Sequence, residues 1–431
     1  MRKLPLAIWA MVVGAFAMGA DEFIVAGVVR EIAQALNVTI GAVGALESVY
    51  ALGVAIGAPV FTALGTRFGR RPMLLITTGV FLLGNLISAL GPTYATIMAG
   101  RVVSAMAHGA FLGIAAVYAA ELVDPARKGR AVAIVFSGLT ASTILGAPIG
   151  AAVGQALGWR FTFWTLVVFG GIALLGLLAS LGRTAAPHAS HEHHHDPQPG
   201  AEYADLDAHA LAHLGGAGQG PSMRDQLAAL RRPAVWGALL TTMLGYGGVF
   251  TSYVYLAPQI TEVTGFASGW VTPLLLIFGI GLFIGNHLGG KLADRAVMPT
   301  VIGSLSTLAI ALFAMTFAIE SKPATVVMTL VFGIAAFAVV APLQLRVMSA
   351  AGHAPDVASA ANISAFTLGS AIGIYLGGAA IDGGLGLSSV NWVGGLLTAA
   401  GLVTSLATWA LLDRHPRTEP HDHAPASAHH H

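Results

Sequence analysis

The sequence predicts an all-α membrane protein of twelve transmembrane helices arranged as two pseudo-symmetric six-helix bundles. Three observations predict it. Hydrophobic residues make up 55% of the 431-residue chain and charged residues only 10%, where a soluble globular domain carries roughly 25% charged residues, and the mean hydropathy is +0.76. Apolar runs long enough to cross a ~30 Å hydrocarbon layer, which takes about 20 helical residues, recur twelve times. The second six runs repeat features of the first six at fixed offsets.

In order, the runs cover residues 5–29, 41–64, 72–91, 94–122, 131–156 and 161–182, then 233–258, 270–290, 298–319, 323–350, 357–381 and 390–412. They are continuously apolar, without the alternation of a barrel strand, and a helix satisfies its own backbone groups in lipid. The first run has no small-residue cleavage site after a short apolar core, so it reads as an anchor and not as a removed signal peptide. Residues 183–232 form a His-rich linker between an N-terminal half (1–182) and a C-terminal half (233–413), and residues 414–431 form a His-rich tail.

Threading the chain through twelve spans places Arg67, Arg70, Arg71, Arg127, Lys128, Arg130, Lys291, Arg295 and the basic residues of both termini and the linker on one side. By the positive-inside rule that side is the cytoplasm, so both termini are expected there, in a bacterial inner membrane. Arg30, Arg160 and Lys322 fall at the opposite ends. The absence of cysteine excludes disulfides, thiolate metal sites and cysteine nucleophiles.

Two matches relate the halves. "YALGVAIGAPVFTALGTR" from Tyr50 set against "FGIGLFIGNHLGGKLADR" from Phe278 aligns Gly53 with Gly281, Gly57 with Gly285 and Arg67 with Arg295. Gly146, Gly150 and Gly154 of the fifth run match Gly369, Gly373 and Gly377 of the eleventh. Duplicated halves with a binding site at their interface are the usual build of a secondary transporter.

"LGTRFGRRPML" (64–74), "GGKLADR" (289–295), "GLTASTILGAPIGAAVG" (138–154) and "GRVVSAMAHGAFLGI" (100–114) together resemble the major facilitator superfamily. The likeness is to its twelve-span drug and metabolite proton antiporters, of the arabinose-efflux-like and chloramphenicol-efflux-like kind. The resemblance implies the major facilitator fold and a gating role for Arg67, Gly69, Arg70, Arg71, Asp294 and Arg295. Thr66 stands where that family usually has an aspartate that latches the inner gate, whereas the second half keeps Asp294. Topological retention is the competing account of these basic loops. The small-residue stripe Gly138, Ser142, Gly146, Gly150 and Gly154, with Pro148 bending the helix, lets another helix approach closely. The resemblance implies that this contact lies between the two halves. It also implies a proton-coupling role for Arg101, although Ser104 departs from the usual glutamine; an arginine snorkelling to the outer headgroups is the alternative.

Asp21 and Glu22 sit inside the first apolar run. A charge at mid-membrane costs roughly 2.5–3.5 kcal/mol on the insertion scale, and protonating a carboxyl of reference value near 4 at neutral pH costs about 4 kcal/mol. The two costs are close, which is the condition for a site that gains and loses a proton. Adjacent residues project about 100° apart, so one of the two acids is expected to face the cavity. The alternative puts both in an outer wet vestibule, a reading that suits Glu47 better. His108, two turns beyond Arg101, is either a packing residue or a proton relay. In the second half the positions matching the acids are Val249 and Phe250.

Substrate-cavity candidates are Tyr50, Phe111, Tyr246, Phe250, Tyr253 and Tyr255, aromatic residues suited to a neutral or amphipathic ligand, although Tyr also anchors at interfaces. "GNHLGGK" (285–291) spells a Walker pattern but lacks its Ser/Thr and a preceding strand, which leaves an ion gradient as the energy source. Of the 16 histidines, seven lie in the linker and six in the tail. His191, His193, His194 and His195 could bind Zn²⁺ or Ni²⁺, or form a solvated low-complexity linker. The sequence is expected to encode a non-enzymatic carrier without cofactors, using protons as coupling ion to export a small molecule, a drug or a sugar-like metabolite. A divalent metal exporter or sensor is the alternative from another class. The lipid bilayer is its expected surrounding, with no nucleic-acid partner and a monomeric state.

Overall fold

The twelve apolar runs form twelve membrane-length helices in a computed structural model, which describes residues 4–124, 127–181, 230–352 and 355–413. The N-terminal half contains α1 (Leu6–Ile24), α2 (Ile40–Phe68), α3 (Arg70–Leu90), α4 (Tyr94–Glu121), α5 (Lys128–Leu157) and α6 (Arg160–Leu181). The C-terminal half contains α7 (Pro233–Tyr253), α8 (Val271–Arg295), α9 (Val297–Ala318), α10 (Lys322–Ala338, resuming as Val340–Ala351), α11 (Pro355–Ala380) and α12 (Ser389–Thr408).

Local chemistry sets the ends and breaks. Thr93 and Thr96 form a reciprocal capping box that opens α4, satisfying amide donors that a helix start leaves bare. Gly69, at φ +75°, makes the tight turn from α2 to α3 in a conformation that glycine adopts without steric cost. The seventh run was expected to continue to residue 258, but α7 ends at Tyr253 and a π-turn at Gln259–Val263 follows a short helical piece. Pro258 is the cause: its ring clashes with the carbonyl four residues earlier, at Val254, and it has no amide hydrogen. Pro342 interrupts α10 in the same way, four residues after Ala338.

The first helix of each half is the most enclosed, with 13 of the 19 residues of α1 and 14 of the 21 of α7 buried, against 9 of the 20 of α12. Each half is built alike: α5 packs on α1 as α11 packs on α7, and α2 packs on α4 as α8 packs on α10. The glycines matched in the sequence make these same contacts. Gly146 and Gly150 lie against Ala20 and Ile24 of α1, while Gly369 and Gly373 lie against Met243 and Gly247 of α7. Gly53 and Gly57 meet Ala105 and Met106 of α4, and Gly281 and Gly285 meet Gly333 and Ile334 of α10. Leu175, Ile310, Phe317 and Val403 are exposed although apolar, as a lipid-facing belt requires.

The halves touch through α2 with α11 and α5 with α8. Among the described residues, four polar contacts tie them together at the end where α1 finishes and α2 begins. Thr39 donates to Asp382 (2.9 Å), Arg30 approaches Glu262 (3.7 Å), Gln155 donates to the Ser268 carbonyl (2.9 Å) and the Tyr253 hydroxyl to the Phe23 carbonyl (3.4 Å). At the opposite end Arg70 pairs with Glu121 and Arg232 donates to the Ala351 carbonyl (3.3 Å), each contact staying within one half.

The glycine stripe of α5 corrects an expectation. Its glycines face α1, inside the N-terminal half, and do not form the contact between halves. The contact with α8 is made from another face, where Ile144 meets Gly279 at 2.6 Å from a would-be Cβ. Positions 144 and 146 are about 200° apart around a helix, so the bare stripe and the inter-half contact use opposite sides of α5. Pro148 lies within the continuous α5.

Candidate functional site

Four helices of the N-terminal half converge on one buried guanidinium. Arg101 of α4 is fully buried, not snorkelling. Its Nη1 pairs with Asp21 Oδ1 of α1, and its Nη2 donates to Glu47 Oε1 of α2 at 2.6 Å and to the Asp21 carbonyl at 3.2 Å. Its guanidinium carbon lies 3.9 Å from the centroid of the Tyr50 ring. Asn85 of α3 donates to Asp21 Oδ2 (3.2 Å) and to the Phe81 carbonyl (3.1 Å). The Tyr50 hydroxyl and His108 Nδ1 share a hydrogen bond of 2.9 Å.

The helical geometry explains why these residues meet. Glu47 and Tyr50 are three residues apart on α2, and Arg101 and His108 are seven apart on α4, so each pair occupies one face. α2 and α4 approach closely because Gly53 and Gly57 present no side chain at their crossing. Asp21 is fully buried, whereas Glu22, rotated by about 100°, is partly exposed. The neighbouring acids therefore differ in burial, Glu22 being the more exposed of the two.

Glu47 is the residue that sequence reasoning misplaced. Its position near the outer start of α2 suggested a wet vestibule, yet it is 3% exposed and bound to Arg101. The available signal was that Glu47 is an acid within an apolar run, three residues before an aromatic. What the sequence could not supply was its partner, 54 positions away.

The aromatic candidates separate into four places. Tyr50 belongs to the ionic cluster. Phe111 is fully buried against Gly14 of α1, and Tyr255 is fully buried at the end where the halves are tied together, donating to the Ile374 carbonyl (2.9 Å); both are packed inside the protein in this conformation. Tyr246 and Phe250 belong to an aromatic group on the other side of the interface, with Tyr246 edge-on to Phe366 (4.7 Å) and near Phe337 (6.4 Å). Phe23, adjacent to Glu22, meets Phe250 (6.1 Å) and Tyr253 (5.7 Å) across the halves. Tyr253 stacks on Phe278.

At the other end of the molecule, Arg70 is held by Glu121 within the N-terminal half, and Asp294 and Arg295 are exposed at the end of α8. Arg71 also makes an interaction. The side chain of Arg67 and the whole of His191, His193, His194 and His195 lie outside the described residues. Among the described residues no group of three or more metal-ligating side chains occurs.

A half-and-half bundle carrying a buried arginine between two acids is the arrangement of a membrane carrier, and comparison with known proteins decides its family. The family model of the Major Facilitator Superfamily matches residues 11–373. The chain belongs to the Major Facilitator Superfamily. This transporter is 38% identical over 401 residues to the inner membrane transport protein YdhP of Escherichia coli K12, covering 93% of this chain and 95% of the relative. It is 33% identical over 408 residues to the chloramphenicol resistance protein of Streptomyces lividans, covering 93% and 96%. With the putative transporter AraJ of Escherichia coli K12 it shares 30% identity over 401 residues, covering 93% and 94%. The transporter is thus a multi-pass membrane protein of the major facilitator fold, with efflux-type relatives.

Proposed function

We propose that this transporter exports a small organic molecule from the bacterial cytoplasm in exchange for protons, across the inner membrane and with both termini inside. The observation that carries the reading is the buried cluster of Arg101, Asp21 and Glu47 beside the partly exposed Glu22. Ionisable groups at membrane depth are costly and mark ion or proton pathways, and all of these lie in one half. A purely architectural role would favour a counterpart in the other half, where Val249 and Phe250 stand instead. The basic loops support a cytoplasmic position for the end opposite the four inter-half contacts. On this reading those contacts seal the outer end, and rocking of the halves would break them to release substrate.

The aromatic group around Tyr246 and Phe250, facing Glu22, suits a substrate with an apolar body, and the chloramphenicol resistance relative makes an aromatic drug the first probe. The transporter needs no cofactor; the proton is the coupling ion, and a monomer in lipid suffices. Everted membrane vesicles test the proposal. They are energised to acidify their interior, given a panel of drugs, sugars and divalent metals, and followed with a pH-gradient dye. Collapse of the gradient by an organic compound, absent in vesicles lacking the protein, is expected. A response to metals alone, abolished by deleting residues 188–214, would replace this proposal with metal export through the histidine-rich linker.

A further inference from the structure

The three acids around Arg101 are not equivalent, and their contacts assign them different tasks. Arg101, Asp21 and Glu47 are enclosed together, so one positive charge faces two carboxylates in a medium of low dielectric. Were both ionised, the cluster would hold an uncompensated negative charge, with Glu22 adding a second close by. An uncompensated buried charge is among the most expensive arrangements a protein can hold, and the group neutralises instead. One of the two carboxyls in contact with Arg101 therefore carries a proton in this sealed conformation.

Hydrogen-bond donors show which one. Both oxygens of Asp21 accept: Oδ1 from Arg101 Nη1 and Oδ2 from Asn85 Nδ2. Arg101 Nη2 also holds the Asp21 main-chain carbonyl, so the guanidinium fork grips residue 21 at two atoms. Each of these donors serves an acceptor, and a protonated Asp21 would leave one of them facing an O–H group. Among the described contacts Glu47 accepts one bond, from Arg101 Nη2 at 2.6 Å, and nothing else fixes its charge.

We infer that Glu47 is the residue that gains and loses the transported proton, while Asp21 is the permanent counter-ion of Arg101 and Glu22 is left to face the substrate cavity. This rests on the proton-coupled reading above and assigns its central step. On uptake an O–H bond forms at a Glu47 carboxyl oxygen, and Arg101 keeps its bonds to Asp21. On release that O–H bond breaks and the proton passes to water, leaving the glutamate ion to draw on Arg101 Nη2. The groups facing Glu47 are Asp21 and Glu22 from α1, Tyr50 on its own helix and Arg101 from α4, with His108 one hydrogen bond beyond Tyr50 and Tyr255 also within electrostatic reach. Tyr246 and Tyr253 of α7 lie within electrostatic reach of the acids. Tyr50 occupies the guanidinium face and bonds to His108, so α2 supplies both the titrating acid and the residue that fixes the arginine plane.

Difference infrared spectroscopy tests the assignment without knowledge of the substrate. Full-length protein in lipid vesicles is taken from about pH 8.5 to about pH 6, a window in which exposed carboxyls of reference value near 4 stay ionised. The wild type is expected to gain a protonated-carboxyl band. Glu47→Gln should lose one carboxyl equivalent of it, Glu22→Gln should keep it, and Glu47→Asp should restore it at a shifted frequency. The Asp variant separates loss of the titrating group from loss of folding. A band that persists undiminished in Glu47→Gln overturns the assignment. A wild type with no band at all would overturn the proton-coupled reading itself, a result distinguishable from the first because it appears before any substitution.

Discussion

Asp21 and Glu22 are neighbours in sequence and differ in placement: one closes an ion pair inside the N-terminal half, and the other is partly exposed. Asn85 fixes that difference by holding the second oxygen of Asp21. A hydrogen bond to a charged group is worth about 1.5–3 kcal/mol, so Asn85→Ala is expected to destabilise the N-terminal half by about that much, read as a lower melting temperature in detergent. An unchanged melting temperature would mean that Asn85 is not a partner of Asp21. Arg101→Lys keeps the charge but loses the planar fork that reaches Asp21 and Glu47 together; proton-driven transport should disappear while the protein remains folded, and retained coupling would deny the fork its role. The presence of buried charge was legible in the first and fourth apolar runs because a carboxylate or guanidinium in such a run stands out. The cluster's membership was not, because a side chain's depth and partner depend on which helices cross, as the misplaced Glu47 shows.

At the scale of helices, the repeated glycines announced that two faces of each half are bare, since a four-residue spacing keeps one side of a helix free of side chains. Periodicity cannot name the helix that covers such a face, and for α5 the expectation of a contact between halves gave way to packing on α1. Gly150→Ala would press a methyl against the Ile24 backbone and should cost about 1–3 kcal/mol, as overpacking does. Gly113→Ala, with nothing within 4 Å of the added carbon, should be neutral or stabilising by up to about 1 kcal/mol through helix propensity. Thermal melts of the two variants side by side check this, and equal losses would contradict the packing account.

The sealed end carries its own device: Asp382 accepts from Thr39, the residue whose hydroxyl also accepts the Ala42 amide at the start of α2 (3.0 Å). A carboxylate at a helix N-terminus is favoured by the helix dipole. The cysteine-free chain takes spin labels at Ala35→Cys and Leu385→Cys, exposed positions in opposite halves near the Thr39–Asp382 contact. Asp382→Ala should add a longer-distance population to the single short one of the parent, and an unchanged distribution would show that this contact does not hold the end shut.

For the whole molecule, twelve spans and two related halves were legible because hydrophobic length and repeat spacing are local properties of a chain. Which end holds the halves together was not, because it rests on contacts such as Thr39 with Asp382, 343 residues apart. The halves differ where function requires it: the N-terminal half holds the charges, and the C-terminal half presents Tyr246, Phe250 and their aromatic neighbours. On the proposed proton-coupled reading, such asymmetry would let protonation in one half bias the position of the other.

The central claim is that movement of solute and movement of protons are one event. Its most direct measurement is uptake into liposomes containing the purified transporter, with and without an imposed pH gradient, for the wild type and for Glu47→Gln. The account predicts that the solute it carries accumulates only when the gradient is present, and that Glu47→Gln loses this dependence. Accumulation that ignores the gradient in the wild type, or that still follows it in Glu47→Gln, would contradict the account.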